Sequence, residues 1–281
     1  RVIGGTTSGL FASLLFSLSV PVIIRGTIGW FKSEPLGLFF GLVGVYLFLS
    51  GIKSNNHKIA FLKLVSAGIF LVFGLASWGG IQFFVIPLGI FFMALPFVRK
   101  DHKFIIWAIP VFVGSLLLAA AAFDRPGIPF VTGIGGFALI GPTIFLIACI
   151  ALMRISKDGQ KIRNGLGLLG GITILGIVML VVNQTTKLIV LPTYRYLNAI
   201  NPFLTTKDPL IDSVAEHATT TLDQSFYFLS ILMIFAGIGI WIIFRAKDSS
   251  KSIKIPNDMI AFALIIGLIG VYISSAFIRL E

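Results

Sequence analysis

Apolar runs of roughly 20 residues recur along this 281-residue chain and constrain it more than any other feature. A run of that length crosses the ~30 Å hydrocarbon core of a bilayer as a helix, because a helix satisfies its own backbone polar groups. The other spanning structure, a β-barrel, is written in alternating segments of about ten residues. That alternation is absent, so the chain reads as an all-α polytopic membrane protein. About nine segments can be drawn, near 9–24, 36–52, 59–78, 81–98, 104–123, 130–153, 166–190, 226–244 and 259–278. Charged residues make up 12% of the chain, about half the share of an ordinary soluble domain, which leaves little material for one.

The connections between segments alternate in character. Lys53 and Lys58 follow the second segment, and Arg99, Lys100 and Lys103 the fourth. Arg154, Lys157, Lys161 and Arg163 follow the sixth; Arg245, Lys247, Lys251 and Lys254 follow the eighth. The intervening connections, at 25–35, 78–80, 124–129 and 191–226, are poorer in Lys and Arg for their length. The positive-inside rule therefore places the four basic loops in the cytoplasm and the others outside. The formal net charge of +11 then reads as a topology signal and as contact with anionic headgroups of the lipid bilayer. Nucleic acid is excluded as a partner, since no basic soluble domain exists to carry it. Cys149, the lone cysteine, lies inside an apolar run as a small hydrophobe, and the three histidines are too scattered for a zinc cluster. The expected location is the cell membrane, multi-pass.

The long polar stretch at 191–226 holds Asp208, Asp212, Glu216 and Asp223 out of eleven acidic residues in the chain. A loop of this length is uncommon unless it works or is disordered. By topology it shares the external face with Arg25, Glu34, Asp124, Arg125, Arg195 and Arg279. Each of these residues has an ordinary reading beside a functional one. Glu34 precedes Pro35 in what reads as the first turn of a helix, where the dipole favours a carboxylate by ~0.3–1 kcal/mol. It is equally a hard oxygen ligand for Mg²⁺ or Mn²⁺. Glu216 is a solvated loop acid or the partner of Glu34, and His217 a hydrogen-bonding loop residue or a ligand. Arg279, after about twenty apolar residues, either snorkels to the headgroups or clamps a phosphate bidentately. Arg25 and Arg195 admit the same pair of readings. Acids for a divalent metal and arginines for phosphate on one face suggest a lipid-linked diphosphate as substrate. Gly37/Gly41, Gly167/Gly171 and Gly267/Gly270 suggest close helix packing. Asn183-Gln184-Thr185 matches a glycosylation sequon at the outer end of the seventh segment.

Asp212-Ser213-Val214-Ala215-Glu216-His217 resembles the Ser-Val-Ser-Glu-His motif of the catalytic subunit of oligosaccharyltransferase, which lies in that family's large fifth external loop. Arg25-Gly26-Thr27-Ile28-Gly29-Trp30-Phe31-Lys32-Ser33-Glu34 is similar to the family stretch that ends in its second acidic motif. Tyr272 to Glu281, with Ile278-Arg279-Leu280, is similar to the family's Val-Arg-Leu segment on a late helix. The three occur in the family's order, on the face that the basic loops select, and their wording is closer to archaeal members. The resemblance implies a GT-C type transmembrane domain. It also implies transfer of an oligosaccharide from a dolichyl phosphate or diphosphate carrier to Asn in Asn-x-Ser/Thr of an acceptor protein, at the extracytoplasmic face, with Mn²⁺ or Mg²⁺. By carry-over, Glu216 and Glu34 are the catalytic, metal-binding acids. Arg279 holds the carrier phosphate, Arg25 supports the same region, and Ser213 and His217 go with the loop motif on the substrate.

Three departures from the family accompany the match. Lys32 stands where the family has the first Asp of the second acidic motif, and a cation beside a divalent metal is unfavourable. The family's first acidic motif and its C-terminal soluble domain, with the Trp-Trp-Asp-Tyr-Gly pocket for the acceptor Ser/Thr, have no counterpart in residues 1–281. The expectation is a transmembrane-domain fragment of a longer protein, with one long external loop at about 191–226, inactive by itself. Two other readings stay open: a catalytically weakened paralogue that binds carrier lipid, motivated by Lys32, and a secondary transporter, for which glycine-interrupted helices and the intramembrane Lys63 speak.

Overall fold

A computed structural model describes residues 3–19, 22–23, 26, 33–186, 234–241 and 256–276. The described chain is helical throughout, with no strand among the described residues. The helices are α1 (Gly5–Ser17), α2 (Ser33–Ile52), α3 (His57–Ser77), α4 (Gln82–Val98), α5 (His102–Ala122), α6 (Gly127–Thr132), α7 (Ile134–Ile155), α8 (Lys161–Thr186) and α9 (Asn257–Ala276). Residues 234–241 are also helical. Five units are long and apolar enough to cross a membrane: α2, α3, Gly79–Val98, α5 and α7. The chain is an all-α polytopic membrane protein, as the hydropathy pattern requires.

Local chemistry sets the helix ends. Asn56 caps α3, its side chain accepting from the backbone N–H groups of Lys58 and Ile59. Asp101 caps α5 by accepting from the N–H of Phe104. Both caps satisfy donors that a helix start leaves orphaned. Trp78 is extended, and a 3₁₀ turn at Gly79–Ile81 reverses the chain from α3 into α4 where the Trp-Gly-Gly signal stands.

The segment read as one helix over 130–153 is two. α6 ends at Thr132, and Gly133 is extended (φ −95°, ψ −167°) before α7 begins. A Cβ on Gly135 would strike the Phe130 ring, and one on Gly136 the Val131 carbonyl. The glycines thus let α7 start directly against α6. Hydropathy is continuous across this break, so it carries no sign of it. α8 begins five residues before the apolar run read at 166, because its first turn is polar yet helical.

Glycines zip α2 to α3. A Cβ on Gly37 would stand 2.5 Å from Trp78 Cβ, and one on Gly44 2.7 Å from Leu71 Cγ. Gly51 meets Leu64 at 3.0 Å in the same way. Small residues permit such approach, and van der Waals contact then holds helices that have no hydrophobic drive within lipid. Gly167, Gly171, Gly267 and Gly270 share the spacing but face no described atom within 4 Å, so close packing is absent there among the described residues. Phe48 of α2 meets Phe91 and Phe92 of α4 and Phe112 of α5, at ring centroid distances of 6.3, 5.8 and 4.6 Å. All four rings are fully buried. Phe91 also meets Phe262 at 5.2 Å, which brings α9 onto α4. Lys63, within α3, donates to Ser50 Oγ at 2.7 Å across the α2–α3 seam.

Contacts across the bundle sort its two ends. His57 at the start of α3 meets Phe104 and Trp107 at the start of α5. Gly165, in the first turns of α8, adjoins Met153, Cys149 and Phe97. Arg99 pairs with Asp258 at 3.2 Å, which joins the end of α4 to the start of α9. The basic connections at 53–56, 99–101 and 156–160 therefore share one end. Glu34, Trp78 and Phe123 lie at the other, linked by Gly37 against Trp78 and by Phe73 against Phe123.

Arg99 also lies 5.0 Å from the centroid of the Phe104 ring. The paired side chains are 18% and 12% exposed, so water screens them little. Truncating Arg99→Ala leaves Asp258 buried without its donor, a loss of about 1–3 kcal/mol. The expected result is a lowered unfolding midpoint in detergent, partly recovered by the double replacement Arg99→Leu/Asp258→Leu. A midpoint equal to the parent in Arg99→Ala would refute a structural role for the pair.

Candidate active site

Of the residues singled out for chemistry, Glu34 is the one the structure describes. Arg25, Lys32, Ser213, Glu216, His217 and Arg279 lie outside the described residues, as do the long stretch at 191–226 and Arg195.

Glu34 sits in the first turn of α2, followed by Pro35. Pro at this place sacrifices an N–H that has no intrahelical acceptor. The turn's remaining N–H groups carry the positive end of the helix dipole at this position. Glu34 is nevertheless only 6% exposed, which is uncommon for an acidic residue unless it is matched by a partner or a ligand. One turn further along, Gly37 admits the Trp78 corner against α2. The end of the bundle that holds Glu34 also carries Asp124 and Arg125, on the connection between α5 and α6.

α9 supplies the second structural element of this end. It starts beside Arg99 at the basic end and packs along α4 through Phe262. Its course therefore runs toward the end that holds Glu34. In sequence, Arg279 follows shortly after the last helical residue of α9, Ala276.

Chemically, the described part offers a buried hard oxygen donor, which suits Mg²⁺ or Mn²⁺ better than a softer ion. Among the described residues no three His, Cys, Asp or Glu side chains cluster to hold a metal; the second acid read from the sequence, Glu216, is outside them. The sequence reading placed Glu34 at a helix start but missed its burial. The signal was present in Gly37, a small residue on the same face one turn later, opposite a tryptophan-glycine turn. Asp258 was missed altogether, although Pro256-Asn257-Asp258 ahead of an apolar run is a helix-start pattern.

No family model matches the chain. It is similar over almost its whole length to several curated proteins. One is the dolichyl-diphosphooligosaccharide–protein glycosyltransferase subunit STT3 of Dictyostelium discoideum, 23% identical over 287 residues, which covers 98% of this chain and 37% of the relative. Another is subunit STT3B of Oryza sativa subsp. japonica, 22% identical over 289 residues, covering 100% of this chain and 38% of the relative. A third is subunit stt-3 of Caenorhabditis elegans, 23% identical over 287 residues, covering 97% and 35%. The chain thus spans somewhat more than a third of the length of these relatives.

Proposed function

We propose that this chain is the membrane domain of an oligosaccharyltransferase catalytic subunit of GT-C type. Its reaction is transfer of an oligosaccharide from a dolichyl phosphate or diphosphate carrier to the Asn of an Asn-x-Ser/Thr acceptor. The observation that carries this reading is the similarity, over 97% or more of the chain, to subunits whose names state that activity. The order of the motifs at 25–34, 212–217 and 272–281 supports it independently. The separation of the described basic loops from Glu34, at opposite ends of the bundle, supports an extracytoplasmic site. The archaeal-type assignment rests on the wording of the three motifs alone.

The chemistry follows from the residue types. An amide nitrogen is a poor nucleophile because its lone pair is delocalised into the carbonyl. Carboxylates of Glu216 and Glu34 that accept the acceptor's N–H hydrogens orient the amide toward the anomeric carbon and weaken that delocalisation. The C–N bond forms as the bond from sugar to phosphate breaks, and the amide passes one proton to a carboxylate that accepts its N–H. Arg279 holds the departing phosphate bidentately, with Arg25 supporting the same region. Ser213 and His217 place the loop on the acceptor, and closure of that loop excludes water. A bound Mn²⁺ or Mg²⁺ on Glu34 and Glu216 supplies Lewis-acid stabilisation of the charge that develops.

The test uses the full-length protein in membranes, with extracted lipid-linked oligosaccharide, Mn²⁺ and a fluorescent Asn-x-Thr peptide. A gel shift of the peptide is expected, and it should vanish when the peptide lacks Thr. No shift in the parent or in Lys32→Asp, with carrier and metal verified, would return the chain to the transporter reading. Lys32 favours a second reading, a paralogue with weakened catalysis. On that reading Lys32→Asp raises turnover several-fold, because it removes a cation from beside the metal site. A rate unchanged by Lys32→Asp would leave the position without influence on the metal.

A further inference from the structure

We propose that the basic end of the bundle carries a binding site for one anionic glycerophospholipid, in the groove between the starts of α3 and α5. The groove is shallow and open, about 430 Å³, and is lined by His57, Lys58, Phe61, Leu62 and Trp107. Its walls are apolar and face outward: Phe61 is 47% and Leu62 64% exposed, on a helix that is long and apolar enough to span a membrane. A groove so placed opens to hydrocarbon, and the occupant suited to it is an acyl chain.

The headgroup is chosen by charge. His57 and Lys58 stand at the mouth of the groove, and Lys103 follows in the first turn of α5, exposed like Lys58. Two acids lie at this end of α3, α5 and α9, and the structure employs both. Asp101 caps α5 through the N–H of Phe104, and Asp258 is paired with Arg99. The mouth is left net positive. Both bordering helices also point their positive ends here, since α3 and α5 each begin at this end. Trp107 has the amphipathic ring that favours the headgroup level, and it is braced by Phe104 at 5.0 Å and His57 at 5.6 Å. A phosphate seated on Lys58 and Lys103, with its acyl chain beside Phe61 and Leu62, satisfies both the charge and the apolar wall. By the positive-inside rule this lipid belongs to the cytoplasmic leaflet.

The test measures tryptophan quenching in the full-length protein, held in nanodiscs of phosphatidylcholine. A small fraction of either dibrominated phosphatidylglycerol or dibrominated phosphatidylcholine is added as the quencher. Several-fold stronger quenching by the anionic lipid is expected. The excess should disappear in Trp107→Phe, which removes the reporter, and should fall in Lys58→Gln and in Lys58→Gln/Lys103→Gln with Trp107 retained. Excess inorganic phosphate should leave the quenching unchanged. Equal quenching by the two lipids would overturn the site, as would an excess that survives Trp107→Phe or both lysine replacements. Loss of the excess on adding inorganic phosphate would identify a site for free phosphate instead. Failure of either lipid to reach Trp107 would mean that other polypeptide covers the groove, and this too would overturn the proposal. Transfer activity is no part of the readout, so the outcome is independent of the proposed catalysis.

Discussion

Replacing Glu34 with Gln in the full-length protein is expected to lower peptide glycosylation about 100-fold or more, and Glu216→Gln to do the same. Gln keeps the volume of Glu34 and can keep a hydrogen bond at the buried start of α2, so the fold should survive. On the proposed mechanism, the change removes the negative charge that would orient the acceptor amide and hold the metal. Loss of one preorganised group of this kind costs about 10²–10³ in rate. The purely structural alternative makes a different forecast. If Glu34 only complements the helix dipole, Glu34→Gln costs ~0.3–1 kcal/mol of stability and leaves turnover unchanged. Rate and unfolding midpoint measured on the same preparation separate the two. A parental rate in Glu34→Gln would remove this residue from the proposed machinery. Higher Mn²⁺ demand in Glu34→Gln would add that the charge acts through the metal.

Gly44→Leu should strongly destabilise the α2–α3 seam. An added Cβ would stand 2.7 Å from Leu71 Cγ, 3.0 Å from Leu71 N and 3.1 Å from Ala67 O. The last two are backbone atoms, which cannot rotate away, so the helices themselves must separate. Overpacking of this sort costs about 1–3 kcal/mol, and the rest of the leucine side chain has no room to follow. A clearly lowered unfolding midpoint in detergent is the expected reading. Gly171→Leu is the control: the same residue type inside a long apolar helix, with no described atom within 4 Å. It should leave the midpoint near the parental value. Equal losses at both positions would show that the cost comes from helix propensity or insertion, not from the seam.

These two glycines show what can be read from one sequence in a membrane protein. The spans and the sorting of charge were legible, because the bilayer itself imposes length and the basic loops mark one side. The start of α2 was legible from Glu34-Pro35, since Pro belongs in a first turn. Which small-residue pairs make a seam was not legible. A glycine permits close approach but does not cause it; Gly44 is close to Leu71 because a short, capped turn at Asn56 folds α3 back along α2. The break at Gly133 was hidden by apolarity that continues through it. The pairing of Arg99 with Asp258 was hidden by distance along the chain, and no local pattern encodes it. Of the proposed site, the sequence supplied the residue types and their order. The burial of Glu34 is a property of tertiary packing, which has no local signature beyond Gly37 one turn later.

The union of α4 with α9 has a consequence for how the protein is made. Arg99 and Asp258 are 159 residues apart. At a synthesis rate of 5–20 residues per second, α4 is complete for about 8–32 s before α9 emerges. During that interval the newly inserted segment displays an arginine and a phenylalanine surface shaped for a helix not yet translated. The face of α4 that later receives Phe262 must meanwhile be screened by lipid or by the insertion apparatus. Slowing translation between α4 and α9 should therefore prolong a protease-sensitive intermediate, and docking of α9 marks the moment at which the nascent bundle closes.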